Sequence, residues 1–304
     1  MKERVGAKIK AIRTDRLMTQ SELAGNQFTR SMISLIEHGH AEPSIPNLEY
    51  LADRLRVSPA YLLASETEEA MYRRAMKIGD IRIAYRTGEY RICHDLCVSL
   101  GLDGDDELNA LIAECRIALA IGEIADGRLY EVGAYLEGAL EAAERTGYRV
   151  SHIYAAAAVI ERYLGRFSER FYFEADARLR QHGVPLAAAS GDPFCAYAMM
   201  LLRTDRGGAG LRDALESGIE MLKASAPLYA AHVEERLLLS VGDYAAALEA
   251  IEAIPEGGDP LPIPMLYELF CDKEICLRAA GDMKGAGEAA GAKQELLSRI
   301  LSES

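Results

Sequence analysis

The chain has 304 residues, half of them apolar and only ten of them proline, so it can hold a small domain and a larger one with a sizeable core. Leu, Ala, Glu and Arg are abundant and β-branched runs are scarce, a composition that favours helix throughout. A net charge of −13 argues by itself against nucleic-acid binding, but the charge is uneven: residues 1–60 carry nine Lys/Arg against seven Asp/Glu, the remainder 25 against 40. A mildly basic head on an acidic body remains compatible with a nucleic-acid reader whose body is repelled by phosphate.

Met1-Lys2-Glu3-Arg4 is charged and leads directly into a helical pattern, without the apolar stretch of a secretory signal. The longest apolar runs, 153–160 and 195–202, are too short to span a bilayer, so the expectation is a cytoplasmic protein with no membrane partner. Cys93 and Cys97 lie one helical turn apart, and Cys271 and Cys276 face different sides of a helix. No set of four ligands in recognisable pairs emerges, so the six cysteines read as reduced core thiols, with no metal and no cofactor expected.

Periodicity and caps divide the head into five short helices. The first, over about 2–14, places Val5, Ile9 and Ile12 on one face. The second opens at Thr19-Gln20-Ser21-Glu22, a capping-box sequence, and points Leu23 and Ala24 inward. Gly25-Asn26-Gln27-Phe28 turns the chain, and Thr29 caps a third helix that buries Ile33 and Ile36 and stops at His38-Gly39. The opposite face shows Arg30, Ser31 and Ser34, while Met32 reads as packing. The fourth helix, 46–55, carries Leu48, Leu51, Ala52 and Leu55 at the spacing of a buried stripe. The fifth begins at Ser58-Pro59, cap then first-turn proline, and carries Tyr61, Leu62 and Leu63.

These residues carry a resemblance. Ile9-Lys10-Ala11-Ile12-Arg13, Met18-Thr19-Gln20-Ser21-Glu22-Leu23-Ala24 and Ile33-Ser34-Leu35-Ile36-Glu37-His38-Gly39 resemble the phage-repressor-like (Xre, Cro/cI-type) helix-turn-helix family. Pro43-Ser44, Leu51-Ala52, Leu55 and Leu62-Leu63 continue the pattern over about the first fifth of the chain. The spacing from Thr19 to Gly39 resembles that of Gram-positive regulators with a helical-repeat sensor, the Rgg, PlcR and NprR group. Leu17 departs from the family, which usually has glycine there.

The resemblance implies that the third helix lies in the DNA major groove, with Thr29, Arg30, Ser31 and Ser34 toward base edges and Arg30 suited to guanine. It implies that Gln20 meets the backbone or an outer base, and makes Arg16 and His40 phosphate-contact candidates. The family pattern pairs Arg13 with Glu37 as a structural ion pair.

Beyond residue 65 the chain reads as antiparallel helix pairs with short breaks. Gly88-Glu89-Tyr90, Gly242-Asp243-Tyr244 and Gly281-Asp282-Met283 share a form: glycine, acid, then an aromatic or bulky apolar residue. That form resembles the middle of a tetratricopeptide repeat, in a degenerate version. The predicted fold is all-α: a five-helix phage-repressor-like domain (1–64), then a tetratricopeptide-like α-solenoid (65–304), a right-handed stack serving as sensor and dimerisation domain. Nine of the 21 Phe/Tyr fall between Tyr148 and Tyr197, interleaved with arginines. From this stretch Tyr154, Arg162, Arg166, Arg170 and Tyr197, together with Asn109, are candidate groove residues, against the alternative that the aromatics simply fill the core. The peptide-responsive relatives hold their peptide with several asparagines, whereas this body has only Asn109.

The function expected is a sequence-specific transcriptional regulator, a homodimer on palindromic double-stranded DNA, whose body senses a peptide, small molecule or protein. The alternative is a repeat-protein interaction adaptor with a weak or non-specific DNA-binding head. An enzyme is disfavoured: there is no glycine-rich phosphate loop, no nucleophile elbow, and the six histidines are scattered at 38, 40, 94, 152, 182 and 232.

Overall fold

In the computed structural model the described residues are 2–167, 178, 180–183, 185–189, 191–208, 210–254 and 261–301, and their regular structure is helical throughout. The chain divides into two compact units, Met1–Asp80 and Ile81–Ser304.

The first unit begins with α1 (Lys2–Asp15), α2 (Gln20–Ala24), α3 (Arg30–Glu37), α4 (Ile45–Arg54) and α5 (Pro59–Leu63). Local chemistry sets the helix starts. Thr19 and Glu22 form a reciprocal capping box at α2, and the Thr29 and Ser58 hydroxyls accept the Met32 and Tyr61 amides. Val5, Ile9, Leu23, Ala24, Ile33, Ile36, Leu48, Leu51, Ala52, Leu55 and Leu62 make one core. Ile12 is only half-buried against it, and Leu63 is exposed because neighbouring positions of a helix point about 100° apart and Leu62 takes the inward one. Gly6 lets α1 lie directly on α3: a Cβ there would sit 2.0 Å from the Ile36 carbonyl oxygen. Lys8, nearly buried, donates to the Tyr61 and Ala64 carbonyls at 3.1 and 2.9 Å, capping the end of α5. Ser65 and Glu68 then exchange hydrogen bonds at the start of α6 (Glu66–Arg86), the helix within which the two units divide.

The second unit contains α7 (Tyr90–Ser99), α8 (Asp106–Ala125), α9 (Leu129–Arg145), α10 (Ser151–Leu164), a 3-10 turn (Leu186–Ala189), α11 (Pro193–Thr204), α12 (Leu211–Ser225), α13 (Pro227–Ser240), α14 (Tyr244–Glu252), α15 (Ile263–Ala280) and α16 (Met283–Leu301). Successive helices pack as hairpins, and alternate ones touch along α8, α10, α11, α13 and α15. This is how helix pairs that cannot bury an apolar face alone bury it on neighbours.

The three glycine-acid breaks behave alike. Gly88, Gly242 and Gly281 have φ of 78°, 78° and 80°, with no atom near the place of a Cβ, so the turn selects glycine for its backbone and not for space. Asp243 and Asp282 then accept the Ala246 and Gly285 amides. One feature exceeds a nearest-neighbour stack: α15 and α16 also reach α8 and α9. Ile300, Ile263 and Tyr267 join the main core built on α8 to α13, so apolar burial draws the last hairpin back to it.

Candidate nucleic-acid interface and body groove

The first turn of α3 is largely exposed. Arg30 and Ser31 are exposed and Ser34 half-exposed, while Ile33, Ile36 and Glu37 on the other side are buried. Thr29, as N-cap, has its hydroxyl occupied by the Met32 amide, which orders this turn before any ligand arrives. Met32 itself is 42 % exposed, so it belongs to the outward face and not to the core. Arg16, just after α1, and His40, after α3, are both exposed, and the His40 ring lies alongside that of His38 at 6.4 Å.

Gln20 differs from a free contact residue. Its Nε2 donates to Glu37 Oε2 at 2.8 Å, and the same carboxylate is doubly hydrogen-bonded by Arg13, whose Nη1 also donates to the Met18 carbonyl at 2.8 Å. Burial alone would raise the Glu37 carboxyl. The hydrogen bonds from Arg13 and Gln20 and the Arg13 charge outweigh it and hold Glu37 below the ordinary carboxylate range. These three residues clamp α1, α2 and α3 together behind the exposed turn.

Residues 9–62 match the family model for helix-turn-helix domains. The head is an Xre-type helix-turn-helix domain. Within it α2 and α3 are the motif, and α3 corresponds to the helix such domains lay in the major groove. No curated protein matches the chain. Two solved structures align with most of it. PlcR of Bacillus thuringiensis, in complex with the peptide PapR7 and DNA, is 17% identical over 98% of this chain and 95% of that one, with a TM-score of 0.24. The apo competence regulator ComR of Streptococcus vestibularis is 18% identical over 89% and 98%, with a TM-score of 0.23.

In the second unit, the five described candidate groove residues do not share one surface. Asn109 is buried and donates to the Asp103 carbonyl at 2.7 Å, a loop-fixing role. Tyr154 is 7 % exposed and stacks on His182 at 4.3 Å. Tyr197 is wholly buried, stacked on Tyr229 at 4.4 Å, and Arg166 is tied to Glu268 and Asp205 in a polar cluster. Arg170 lies outside the described residues. Among the described candidates only Arg162 faces a sizeable cavity, of about 880 Å³ between α10, α11 and α12.

Sequence reading missed the rest of that cavity's wall: Met199, Met200 and Met221 beside Arg203 and Arg206. Its available signal was Arg203 in the last turn of α11 and Arg206 just beyond it, together with the adjacent methionines of that helix. Gly218 opens the space, since a Cβ there would stand 2.5 Å from the Met200 methyl. Five of the six cysteines are buried and Cys271 is half-buried; burial pushes Cys97 up to about 12 and Cys195 higher still.

Proposed function

We propose that the chain is a sequence-specific transcriptional regulator that reads a palindromic operator as a homodimer. In this reading residues 1–64 bind DNA and residues 65–304 dimerise and receive a peptide or small-molecule effector. The observation that carries it is the ordered, outward first turn of α3, where Arg30, Ser31 and Ser34 meet solvent and Ile33, Ile36 and Glu37 anchor the other side. Arg30 supplies a forked donor for guanine O6 and N7, and Ser31 and Ser34 supply short hydroxyls to neighbouring positions. Arg16 and His40 flank the turn as phosphate contacts; Gln20, committed to Glu37 through its amide nitrogen, positions the motif and offers its carbonyl.

For the effector, the cavity beside α11 has the size of a small-ligand site, which runs roughly 300–1,000 Å³. Methionine walls adapt to apolar ligand groups and the arginines suit a carboxylate. The protein then acts by binding and not by catalysis, in the cytoplasm where its DNA lies; no described helix is long and apolar enough to cross a membrane.

Selection from a random duplex library with the full-length protein at moderate salt tests the reading. Enrichment of a two-fold symmetric site supports a dimeric regulator, and its half-site spacing fixes the separation of the two heads. Binding with no sequence preference overturns it in favour of an interaction adaptor with a weakly basic head.

A further inference from the structure

The body buries a second polar constellation, unrelated to the cavity beside α11. His232 on α13 has no solvent exposure, and its Nδ1 lies 2.8 Å from the Tyr197 hydroxyl on α11. That contact fixes the ring and aims Nε2 at three carboxylates: Asp272 Oδ2 at 3.6 Å, Glu235 Oε2 at 3.8 Å and Glu268 Oε2 at 4.0 Å. Glu235 and Asp272 are fully buried and Glu268 is 5 % exposed. His232 Nε2, both Glu235 oxygens, Glu268 Oε2 and Asp272 Oδ2 all lack a hydrogen-bond partner. Buried polar atoms are almost always satisfied, and ligand atoms of His232, Glu235 and Asp272 lie within 4.8 Å of one another, so these orphans call for an absent partner.

The second oxygens of Asp272 and Glu268 are satisfied. Asp272 Oδ1 accepts Arg236 Nη1 at 2.7 Å, and Glu268 Oε1 accepts Arg166 Nε at 2.8 Å. Both arginines also bind Asp205. Four carboxylates therefore face two guanidinium groups, which leaves the charge that one divalent cation neutralises.

We propose that His232, Glu235 and Asp272, with Glu268 beside them, hold one divalent transition-metal ion, of the zinc, manganese or iron(II) class, between α13 and α15. The ligand atoms of His232, Glu235 and Asp272 lie within 4.8 Å of one another, against roughly 3.4 Å between tetrahedral ligands on bonds of about 2.1 Å, so these three contract onto one ion. The imidazole favours a transition metal over magnesium or calcium, and the carboxylates give it hard anionic company. Tyr197, Arg236 and Arg166 are the outer groups that orient the ligands. In sequence the set is His232-x-x-Glu235 and Glu268-x-x-x-Asp272, each on one helix face; only the packing of α13 on α15 joins the halves. The site is independent of the DNA-binding reading.

The test uses full-length protein stripped with a chelator, then titrated with cobalt(II) or zinc(II), with native mass spectrometry and thermal unfolding as readouts. One ion per chain, visible cobalt bands and a raised Tm are expected. Glu235→Gln is expected to weaken binding more than about tenfold, and Tyr197→Phe, which keeps the ring stack, by about 10–100-fold. No stoichiometric uptake of cobalt, zinc, manganese or iron(II) by the wild type overturns the proposal and leaves a proton-sharing carboxylate cluster. Uptake undiminished in both Glu235→Gln and Asp272→Asn places the ion elsewhere and overturns it equally.

Discussion

Arg13 grips Glu37 at two points, Nε to Oε1 at 2.5 Å and Nη2 to Oε2 at 3.0 Å, and the carboxylate has no solvent exposure. The pair ties the last turn of α1 to the last turn of α3, so it holds the reading helix from behind. Arg13→Ala leaves Glu37 buried with Gln20 as its remaining side-chain partner and is expected to cost about 3 kcal/mol, read by urea unfolding.

The same pair sets an acid limit. Because Glu37 is held below its ordinary value, its contribution is present above the unfolded-state pKa of about 4.3 and is lost as pH falls through the folded value. Unfolding of the head below about pH 4.3 is therefore expected to be steeper in wild type than in Glu37→Gln. Equal pH slopes in the two proteins count against the assignment.

Gly6→Ala places a methyl carbon against backbone, 2.0 Å from the Ile36 carbonyl oxygen. Neither helix can yield without moving the core behind Ile9 and Ile33. A loss of at least about 2–3 kcal/mol in the stability of the head is expected, with operator binding falling in parallel.

Leu17 adopts a left-handed backbone with φ of 55° and is 92 % exposed, so its side chain packs on nothing while its backbone is strained. Leu17→Gly is expected to raise stability by about 1 kcal/mol, the left-handed cost of an L-residue less the added freedom of the unfolded chain. A drop in Tm would mean that the side chain does more than its exposure suggests.

On DNA, Arg30→Ala is expected to cost about 1–3 kcal/mol at its own base pair and to relax preference there alone. Arg16→Ala is expected to weaken binding evenly across sequences and to lower the salt slope by about one. Binding arrays at two salt concentrations separate the two effects; Arg30→Ala with unchanged selectivity removes α3 from the readout.

The head was legible because its signals are local. Thr19 with Glu22, Thr29, and Ser58 before Pro59 mark helix starts whose hydrogen bonds close within three residues, and the apolar spacing in α3 and α4 names the buried side. The groove was less legible. Aromatics and arginines between 148 and 197 look alike in sequence whether they line a cavity or fill a core, and Tyr197, Tyr154 and Arg166 turn out to be internal.

By itself, then, the sequence determined the helical class, the caps, the glycine-acid turns and the outward turn of α3, all properties of a helix and its immediate neighbours. Tertiary structure alone decided that α15 and α16 return to α8 and α9, that Arg162 reaches a cavity while Arg166 does not, and that His232 and Glu235 meet Glu268 and Asp272. Those pairings join residues more than thirty positions apart. Their register follows from how whole helices bury apolar faces on one another, which no local period encodes.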